Sequence, residues 1–536
     1  MGGGLLQLVA YGAQDAYITG NPHITFWKVL YKRHTNFAME AFRVNFTGAP
    51  QYGQRVVAVI NRNADLMYKT YLEVVLPDTQ ASVTGSFDVL WTNGGQRRLG
   101  YILLKKIEVE IGGQIIDTHY GEWLYLWENL TSNVDNSTKL DAMTGGQQGG
   151  VRSTNTSCGG RPSVLYIPLQ FWFCRNPGLA LPLIALQYHE VRINVTLSPA
   201  TDLVTKGPSF SSISAAAAAL PQIRDMSLYV DYIYLDVDER RRFAQQSHEY
   251  LIDQLQYGLQ QTLTTANTRI DLTLNHPVKE LVWVFQDARK TDCSSTTTIA
   301  AGYTQPFSYD DIADRCRLQI NGQDRFDERY GDYFWKVQPY QHHSGGGFWP
   351  ARNETTALTV FGTPASLRGV ATFALTVATS ATQSFTTLVG TIGVGSLVSG
   401  AGITGTNTIV SVTFATATTG TIVFADSFTS TASSYTSITT VGDDTQIQSS
   451  GSAVAVYQAA NPINVYSFAL QPEEHQPSGT CNFSRIDTTT LVFDSITSGA
   501  AGTFPSKAFP YNFRLYAVNY NIFRVMSGMG GLAYSN

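Results

Sequence analysis

The strongest constraint on this chain is that it repeats itself. Thr70–Asp78 reads TYLEVVLPD and Lys279–Asp287 reads KELVWVFQD, an offset of 209 residues. The same offset carries Ile107–Gln114 (IEVEIGGQ) onto Cys316–Gln323 (CRLQINGQ). One inserted residue later, Tyr120-Gly121-Glu122-Trp123 meets Tyr330-Gly331-Asp332-Tyr333. A further landmark closes each half: Leu228–Tyr234 (LYVDYIY) aligns with Leu515–Tyr520 (LYAVNY). Landmarks recurring in one order mean two copies of one unit rather than a single core.

The spacing shows where the copies differ. Ile111 to Leu228 spans 117 residues and Ile320 to Leu515 spans 195, so the second copy is longer by 78. It also holds 57 consecutive positions without a charge, Gly369 to Ala425, dominated by Thr, Ser, Gly, Ala and Val. An insertion near 366–450 follows, because surface loops absorb added length at little entropic cost. Its Thr408–Phe424 stretch is β in propensity.

The landmarks read as strands. Ile107, Val109 and Ile111 alternate with Glu108 and Glu110, one face apolar and one polar. Gly112-Gly113 and Asn321-Gly322 are tight-turn signals between strands. Gln187–Leu197 and Ser227–Asp236 are further strands; Tyr120–Leu130 and Asp238–Gln256 are the better helix candidates. Two units of about 200 residues, each of short strands and long loops, point to Greek-key sandwiches. The jelly roll suits the size, though pattern alone does not separate it from other sandwiches.

Charge narrows the function. Only 14% of residues are charged, against about 25% in an ordinary soluble domain. Aromatics at 12% exclude a disordered chain. The net charge of −5 lacks the basic field of a phosphate-wrapping protein. The one basic run, Arg240-Arg241-Arg242, follows Asp236, Asp238 and Glu239 and reads as a solvated or intrachain-paired cluster. Direct nucleic-acid binding is therefore not expected. Five cysteines, at 158, 174, 293, 316 and 481, show neither metal-ligand spacing nor a disulfide framework. The start, Met1-Gly2-Gly3-Gly4-Leu5-Leu6, has no basic region or long apolar stretch, and Leu6 stands where myristoylation wants Ser or Thr. Neither a secretory leader nor that modification is expected, and no apolar run reaches the length of a membrane span.

No motif marks a reaction. There is no phosphate-binding P-loop and no nucleophile elbow. His342-His343 lies in the Gly-rich HHSGGGFWP with no carboxylate at ligand spacing, so a plain loop is favoured over a metal site. Asp310, Asp311 and Asp314 fit no calcium loop and are read as capping or solvating a helical turn near Ser308. Asp324, Asp327, Glu328 and Asp332 crowd beside Arg325 and Arg329, an intrachain pairing cluster. No catalytic, cofactor-binding or metal residue is assigned. Of the N-x-[ST] triplets, those at Asn136, Asn155 and Asn353 fall in polar stretches and are the glycosylation candidates. Asn194 falls in an expected strand and Asn482 in a packed-looking motif, so neither is expected to be modified.

Long stretches carry a family likeness. They are Gly2–Phe42 (GGGLLQLVAYGAQDAYITGNPHITFWKVLYKRHTNFAMEAF), Arg175–Val195 (RNPGLALPLIALQYHEVRINV), Tyr229–Gln256 (YVDYIYLDVDERRRFAQQSHEYLIDQLQ), Leu274–Gln286, Gln476–Asp487 and Asn512–Asn536. In these the chain resembles the major capsid proteins of nucleocytoplasmic large DNA viruses. The resemblance implies an all-β fold of two consecutive eight-stranded jelly rolls, a double jelly roll. It implies a homotrimer forming a pseudo-hexagonal capsomer that tiles an icosahedral shell over an internal viral membrane. Implied partners are neighbouring capsomers and minor capsid and penton proteins. The implied location is the outer capsid of the virion, assembled in the host cytoplasm. Neither cofactor nor enzyme activity is implied.

On that scheme residues 1–24 form an N-terminal arm, 25–237 the first jelly roll, 238–250 a junction, 251–525 the second, and 526–536 a tail. The insertion at about 366–450 departs from the common pattern and is expected as a small Thr-rich β subdomain facing outward. The arm has no partner in the repeat and is expected to reach a neighbour or a minor protein. The rival readings are a jelly-roll carbohydrate-binding module or adhesin, which would want a leader and a localised aromatic site, and a carbohydrate-active enzyme, which would need a positioned carboxylate pair. Part of the low charge belongs to the insertion, and the rest is assigned to interfaces of a tiled trimer.

Overall fold

The computed structural model describes, besides scattered positions among 3–27 and residues 218 and 307, residues 34–77, 89–91, 98–145, 164–206, 220–263, 267–288, 309–345, 370–375, 379–389, 397–399, 407–414, 420–429, 434–438, 445–450, 453–458, 462–495 and 511–534. Eight strands form the two main sheets of the first half: β1 Phe37–Asn45, β2 Arg55–Ile60, β3 Leu66–Val75, β4 Leu104–Ile111, β5 Gln114–His119, β6 Val164–Pro168, β7 Val191–Leu197 and β8 Asp225–Leu235. Eight build the second: β9 His248–Leu263, β10 Asn267–Asp271, β11 Pro277–Asp287, β12 Ala313–Ile320, β13 Gln323–Asp324, β14 Asn464–Ser467, β15 Thr489–Ser495 and β16 Tyr511–Met526.

The first half forms one sheet in the order β1-β8-β3-β6 and another in the order β2-β7-β4-β5. The second gives β9-β16-β11-β14 and β10-β15-β12-β13. Each of these eight strands of the first half thus has its counterpart eight places later, in the same position. Two antiparallel sheets sharing this four-strand order and these crossovers are a jelly roll, and the chain holds two.

Local chemistry explains the shared elements. Gly112 and Gly113 adopt φ of +60° and +86°, and Asn321 and Gly322 adopt +49° and +78°. Two successive left-handed residues make the turn whose twist suits a two-residue hairpin, joining β4 to β5 and β12 to β13. The tetrads at 120 and 330 have a different cause. A Cβ on Gly121 would lie 2.0 Å from the Tyr101 carbonyl oxygen and 2.2 Å from that of Leu104; one on Gly331 would lie 2.0 Å from the Ala313 carbonyl oxygen. Leu104 and Ala313, the first residues of β4 and β12, stand 209 apart. In both halves the chain leaving the hairpin crosses the start of its own sheet too closely for any side chain.

Register corrects one alignment. Val109 pairs with Ile193 as Leu318 pairs with Leu491, in keeping with the offset. But Leu72 pairs with Leu228, while its counterpart Leu281 pairs with Ala517. Residue 228 therefore matches 517, two places beyond Leu515. A two-residue slip keeps every side chain on its face, so alternation alone could not reveal it.

The added length of the second copy lies between β13 and β14. Six strands, Val370–Leu375, Thr379–Val389, Leu397–Ser399, Asn407–Phe414, Gly420–Thr429 and Ser434–Ile438, close into a barrel there. Leu375, Phe385 and Ile422 are buried in it. The corresponding connection of the first copy carries the helices Gly121–Thr131 and Val134–Thr144 instead.

Several expectations change. The helix expected over Asp238–Gln256 stops at Gln245, and β9 begins at His248. From there the backbone pairs with β16, from His248–Val525 to Leu263–Tyr511, and that partner lies too far along the chain for local pattern to show it. The strand expected from Gln187 begins at Val191. Glu108, expected on a solvated face, is buried, held by Lys106 at 2.5 Å and Arg55 at 3.4 Å. The turn expected near Ser308 lies outside the described residues; Asp310 and Asp311 stand in the irregular lead-in to β12. Asp311 accepts a hydrogen bond from Trp335 Nε1 at 3.0 Å, and burial, then Asp332 beside it, push its carboxyl up to about 6. The acidic cluster pairs within the chain, but with partners other than Arg325 and Arg329. Arg315 meets Glu328, Arg317 meets Asp324 and Lys336 meets Asp332. Arg240 donates to Asp65 at 2.7 Å, an intrachain pair as read.

Candidate functional site at the seam between the sandwiches

The two sandwiches meet along a desolvated seam, and the pleat of β11 and β16 makes it. On β11, Leu281, Trp283 and Phe285 point into the second sandwich, while Val282 and Val284 point the other way. On β16, Phe513, Leu515 and Ala517 face the second core, and Tyr516 and Val518 face the seam. Val282, Val284, Val465, Tyr516 and Val518 belong to one apolar cluster with the interior of the first sandwich. A run apolar on both faces is what a sheet covered on both sides requires.

The first sandwich contributes the end of β5, the helix Gly121–Thr131 and the short helix Trp172–Arg175. Trp123 and Trp127, one turn apart, line one face of the helix. Trp123 lies 5.5 Å from the Tyr516 ring, centre to centre, and Trp172 lies 6.1 Å from that of Phe523.

Many polar groups within this apolar seam are paired, several of them with partners from the other sandwich. Glu122, in the first turn of the helix, accepts from Arg514 Nη2 at 2.7 Å, the Tyr516 hydroxyl at 2.7 Å and the Tyr309 hydroxyl at 3.0 Å. Burial would lower the Arg514 pKa, but Glu122 outweighs it and holds the guanidinium above its ordinary value. Burial raises the phenols of Tyr516 and Tyr309 well above the usual tyrosine range. Asp117 Oδ1 accepts from the Leu255 backbone N–H at 3.1 Å. Gln254 donates to the Ile116 carbonyl. Lys279, fully buried, donates to Asp253 at 2.8 Å, and Arg175 approaches the same carboxylate at 3.4 Å. The hairpin of β16 with β17 (Met529–Leu532) completes the seam, with Tyr188 N–H donating to the Gly528 carbonyl at 3.0 Å.

His343 is a further clamp, and it corrects the plain-loop reading. Its side chain is buried between Glu280 Oε2, 3.1 Å from Nε2, and Glu473 Oε1, 3.0 Å from Nδ1. Ser344 bonds Glu473 and the Thr131 carbonyl, and Gly345 N–H donates to Leu130, tying the second sandwich to the helix of the first. The two carboxylates lie on distant segments of sequence, so spacing could not show them. Burial would lower the His343 pKa, but Glu280 and then Glu473 carry it to about 9. A raised folded-state pKa adds stability that is full below the unfolded value of about 6.5 and lost as pH rises through the folded one. The gap in thermal midpoint between the parent and His343→Gln should therefore narrow as pH rises from about 6.5 through about 9. A gap constant over that range would show that the imidazolium contributes nothing.

These groups build a joint rather than a reaction centre. Glu122 has three donors, and among the described residues no cluster of three His, Cys, Asp or Glu is arranged for a metal. A cleft of about 600 Å³ opens beside the seam, lined by Tyr120, Glu122, Tyr257, Tyr516, Lys105 and Lys106 among others. Of the glycosylation candidates, Asn136 is exposed on the helix Val134–Thr144 rather than in a loop. Asn155 and Asn353 lie outside the described residues. Asn194 is buried in β7 and donates to Glu110 at 2.9 Å. Cys174, Cys316 and Cys481 are free thiols. Sequence reasoning missed Glu122, Arg514 and His343 as joint residues; the one available signal was the Gly-acid pair recurring at 121 and 331.

Comparison with known proteins gives this architecture its context. The model of the major capsid protein N-terminus matches residues 25–236. That of the large eukaryotic DNA virus major capsid protein matches 239–353 and 453–531, passing over the stretch that holds the barrel. The major capsid protein of Pyramimonas orientalis virus is 40% identical, with both chains covered in full. That of Paramecium bursaria Chlorella virus 1 is 34% identical, again with both covered in full. Among solved structures, the quasi-atomic model of the PBCV-1 virus capsid aligns over 96% of this chain and 100% of its own, with a TM-score of 0.61 and 30% identity. The Faustovirus major capsid protein aligns over 96% and 94%, with a TM-score of 0.56 and 11% identity, a likeness of fold. The relatives are structural capsid proteins, and this chain, with its paired jelly rolls, belongs to the major capsid proteins of large eukaryotic DNA viruses.

Proposed function

We propose that three copies of this chain form a pseudo-hexagonal capsomer, and that such capsomers tile an icosahedral shell over an internal membrane. The observation that carries this is the pairing of two sandwiches with one strand order, fixed side by side by a seam with buried, paired charges. A rigid pair of like units is half-way to sixfold geometry, which three copies complete. In this scheme residues 1–24 are an arm, 25–237 and 251–525 the two jelly rolls, 238–250 the junction and 526–536 a tail. The barrel within 366–450 faces outward, and Asn136, Asn155 and Asn353 are acceptors for glycans. Minor capsid and penton proteins contact the inner side and the vertices, no nucleic acid is bound directly, and assembly takes place in the host cytoplasm.

The arm supplies the contact beyond the capsomer. Leu6, Leu8, Val9 and Tyr11 are exposed there, apolar groups with no cover in the single chain. Light scattering of the purified chain should give three times 58.7 kDa. Deleting residues 2–20 should leave that mass unchanged while abolishing shell formation. A parent chain that stays monomeric and binds glycans would instead favour a carbohydrate-binding module.

A further inference from the structure

The repeat places one covered face and one uncovered face in register, and the uncovered one lies in the first sandwich. In the second sandwich, the outer side of β9-β16-β11-β14 is roofed by the first sandwich's segment from Tyr120 through the helix Gly121–Thr131. In the first sandwich, the outer side of β1-β8-β3-β6 carries Arg43, Tyr71, Tyr166 and Tyr229. Tyr71 stacks on Tyr229 at 5.1 Å and meets Tyr166 edge-on at 6.2 Å. Register makes Tyr166 and Tyr229 the counterparts of Val465 and Val518, both sealed in the seam. Yet Tyr166 is 37% exposed.

The roofing segment also has an unused counterpart. Tyr120, half-buried against Tyr257 and Tyr516, corresponds to Tyr330, which is 63% exposed. Trp127 and Leu130, buried, correspond to Val337 and Tyr340, exposed by 37% and 87%. Glu122 corresponds to Asp332, which is exposed. Among the described residues, each chain therefore presents a partly exposed sheet face on one sandwich and an exposed counterpart of the roof on the other.

We propose that the segment Tyr330–Tyr340 of one copy roofs the Tyr71–Tyr166–Tyr229 face of the next, repeating the intrachain seam between chains. This rests on the trimer reading above and names the surfaces that close it. The contact is head-to-tail, so it forms a closed ring only at a fixed number of copies. Composition fits the division of labour. The intrachain face has Val465 and Val518 where the face between copies has Tyr166 and Tyr229. The face between copies is rich in Tyr, as befits a surface that must be soluble before assembly. Four of its charges arrive already paired, Arg43 with Asp225 and Lys336 with Asp332, so closure need not strand these ions.

The test uses the full chain. Val337→Glu with Tyr340→Glu, both at exposed positions, should keep the parent's circular dichroism and thermal midpoint while the scattering mass falls from three times 58.7 kDa to 58.7 kDa. Independently, Tyr166→Cys with Tyr340→Cys should yield covalent trimers with a short bismaleimide, where the parent with its native thiols does not. If the parent is itself monomeric, the trimer reading fails. If the parent is trimeric while the glutamate variant stays trimeric and the cysteine pair does not link, the trimer stands and this assignment of surfaces is overturned. Should the glutamate variant misfold, the cross-link decides alone.

Discussion

Replacing Glu122 with Ala should destabilise the joined sandwiches by about 3–5 kcal/mol, the usual cost of stranding one member of a buried ion pair. Arg514 is 9% exposed and Glu122 12%, so solvent cannot take over the lost partner. Arg514 would keep only Gln286 at 2.5 Å and Gln260 at 3.5 Å, two neutral acceptors. The hydroxyls of Tyr516 and Tyr309 would lose their acceptor as well. Because the three donors come from the second sandwich and the acceptor from the first, the damage should appear as early separation of the two. Urea unfolding followed by tryptophan fluorescence would show a lowered first transition, since Trp123 and Trp127 stand at the seam. Adding Arg514→Met to the Ala variant should recover much of the loss, because an apolar pair of similar volume removes the stranded charge. A Glu122→Ala variant that unfolds within about 1 kcal/mol of the parent, the scale of a surface pair, would refute the role given to this residue.

Gly121→Ala and Gly331→Ala should each cost about 3 kcal/mol, at the upper end of what overpacking does. The obstacle is a carbonyl oxygen at 2.0 Å in both cases, and a backbone group cannot swing aside as a side chain would. Relief requires the start of β4 or β12 to move. Gly113→Ala is the control: nothing lies within 4 Å of its Cβ, and only its φ of +86° resists, a penalty of about 1–2 kcal/mol. Thermal unfolding of the three variants checks the ranking. Equal midpoints for Gly121→Ala and Gly113→Ala would mean that close approach does not explain the repeated glycine.

Much of the architecture was legible because it is written in local terms. The Gly-Gly and Asn-Gly turns state their own geometry, and the alternation of Ile107, Val109 and Ile111 states which residues face the core. Even the repeated Gly121 and Gly331 were visible, though only as a match of letters. The helix expected over Asp238–Gln256 failed at its midpoint for the opposite reason. Tyr250, Ile252 and Gln254 suit either element, and their pairing with β16, nearly the length of a jelly roll away in sequence, settled the matter.

By itself the sequence determined that there are two like units, that each is built of strands, and where the second is enlarged. Turn chemistry and side-chain period act over a few residues, so a single strand of letters carries them whole. The tertiary structure decided which side of β11 is core and which is seam. Leu281, Val282, Trp283, Val284 and Phe285 are apolar without a break, so no alternation distinguishes the faces until a second sandwich covers one of them. It also decided the two-residue register of β16, which leaves the pattern of faces unchanged. The partners of Glu122 and His343 belong here too: a buried charge is defined by what closes over it, and the chain brings those groups together only when both sandwiches have formed.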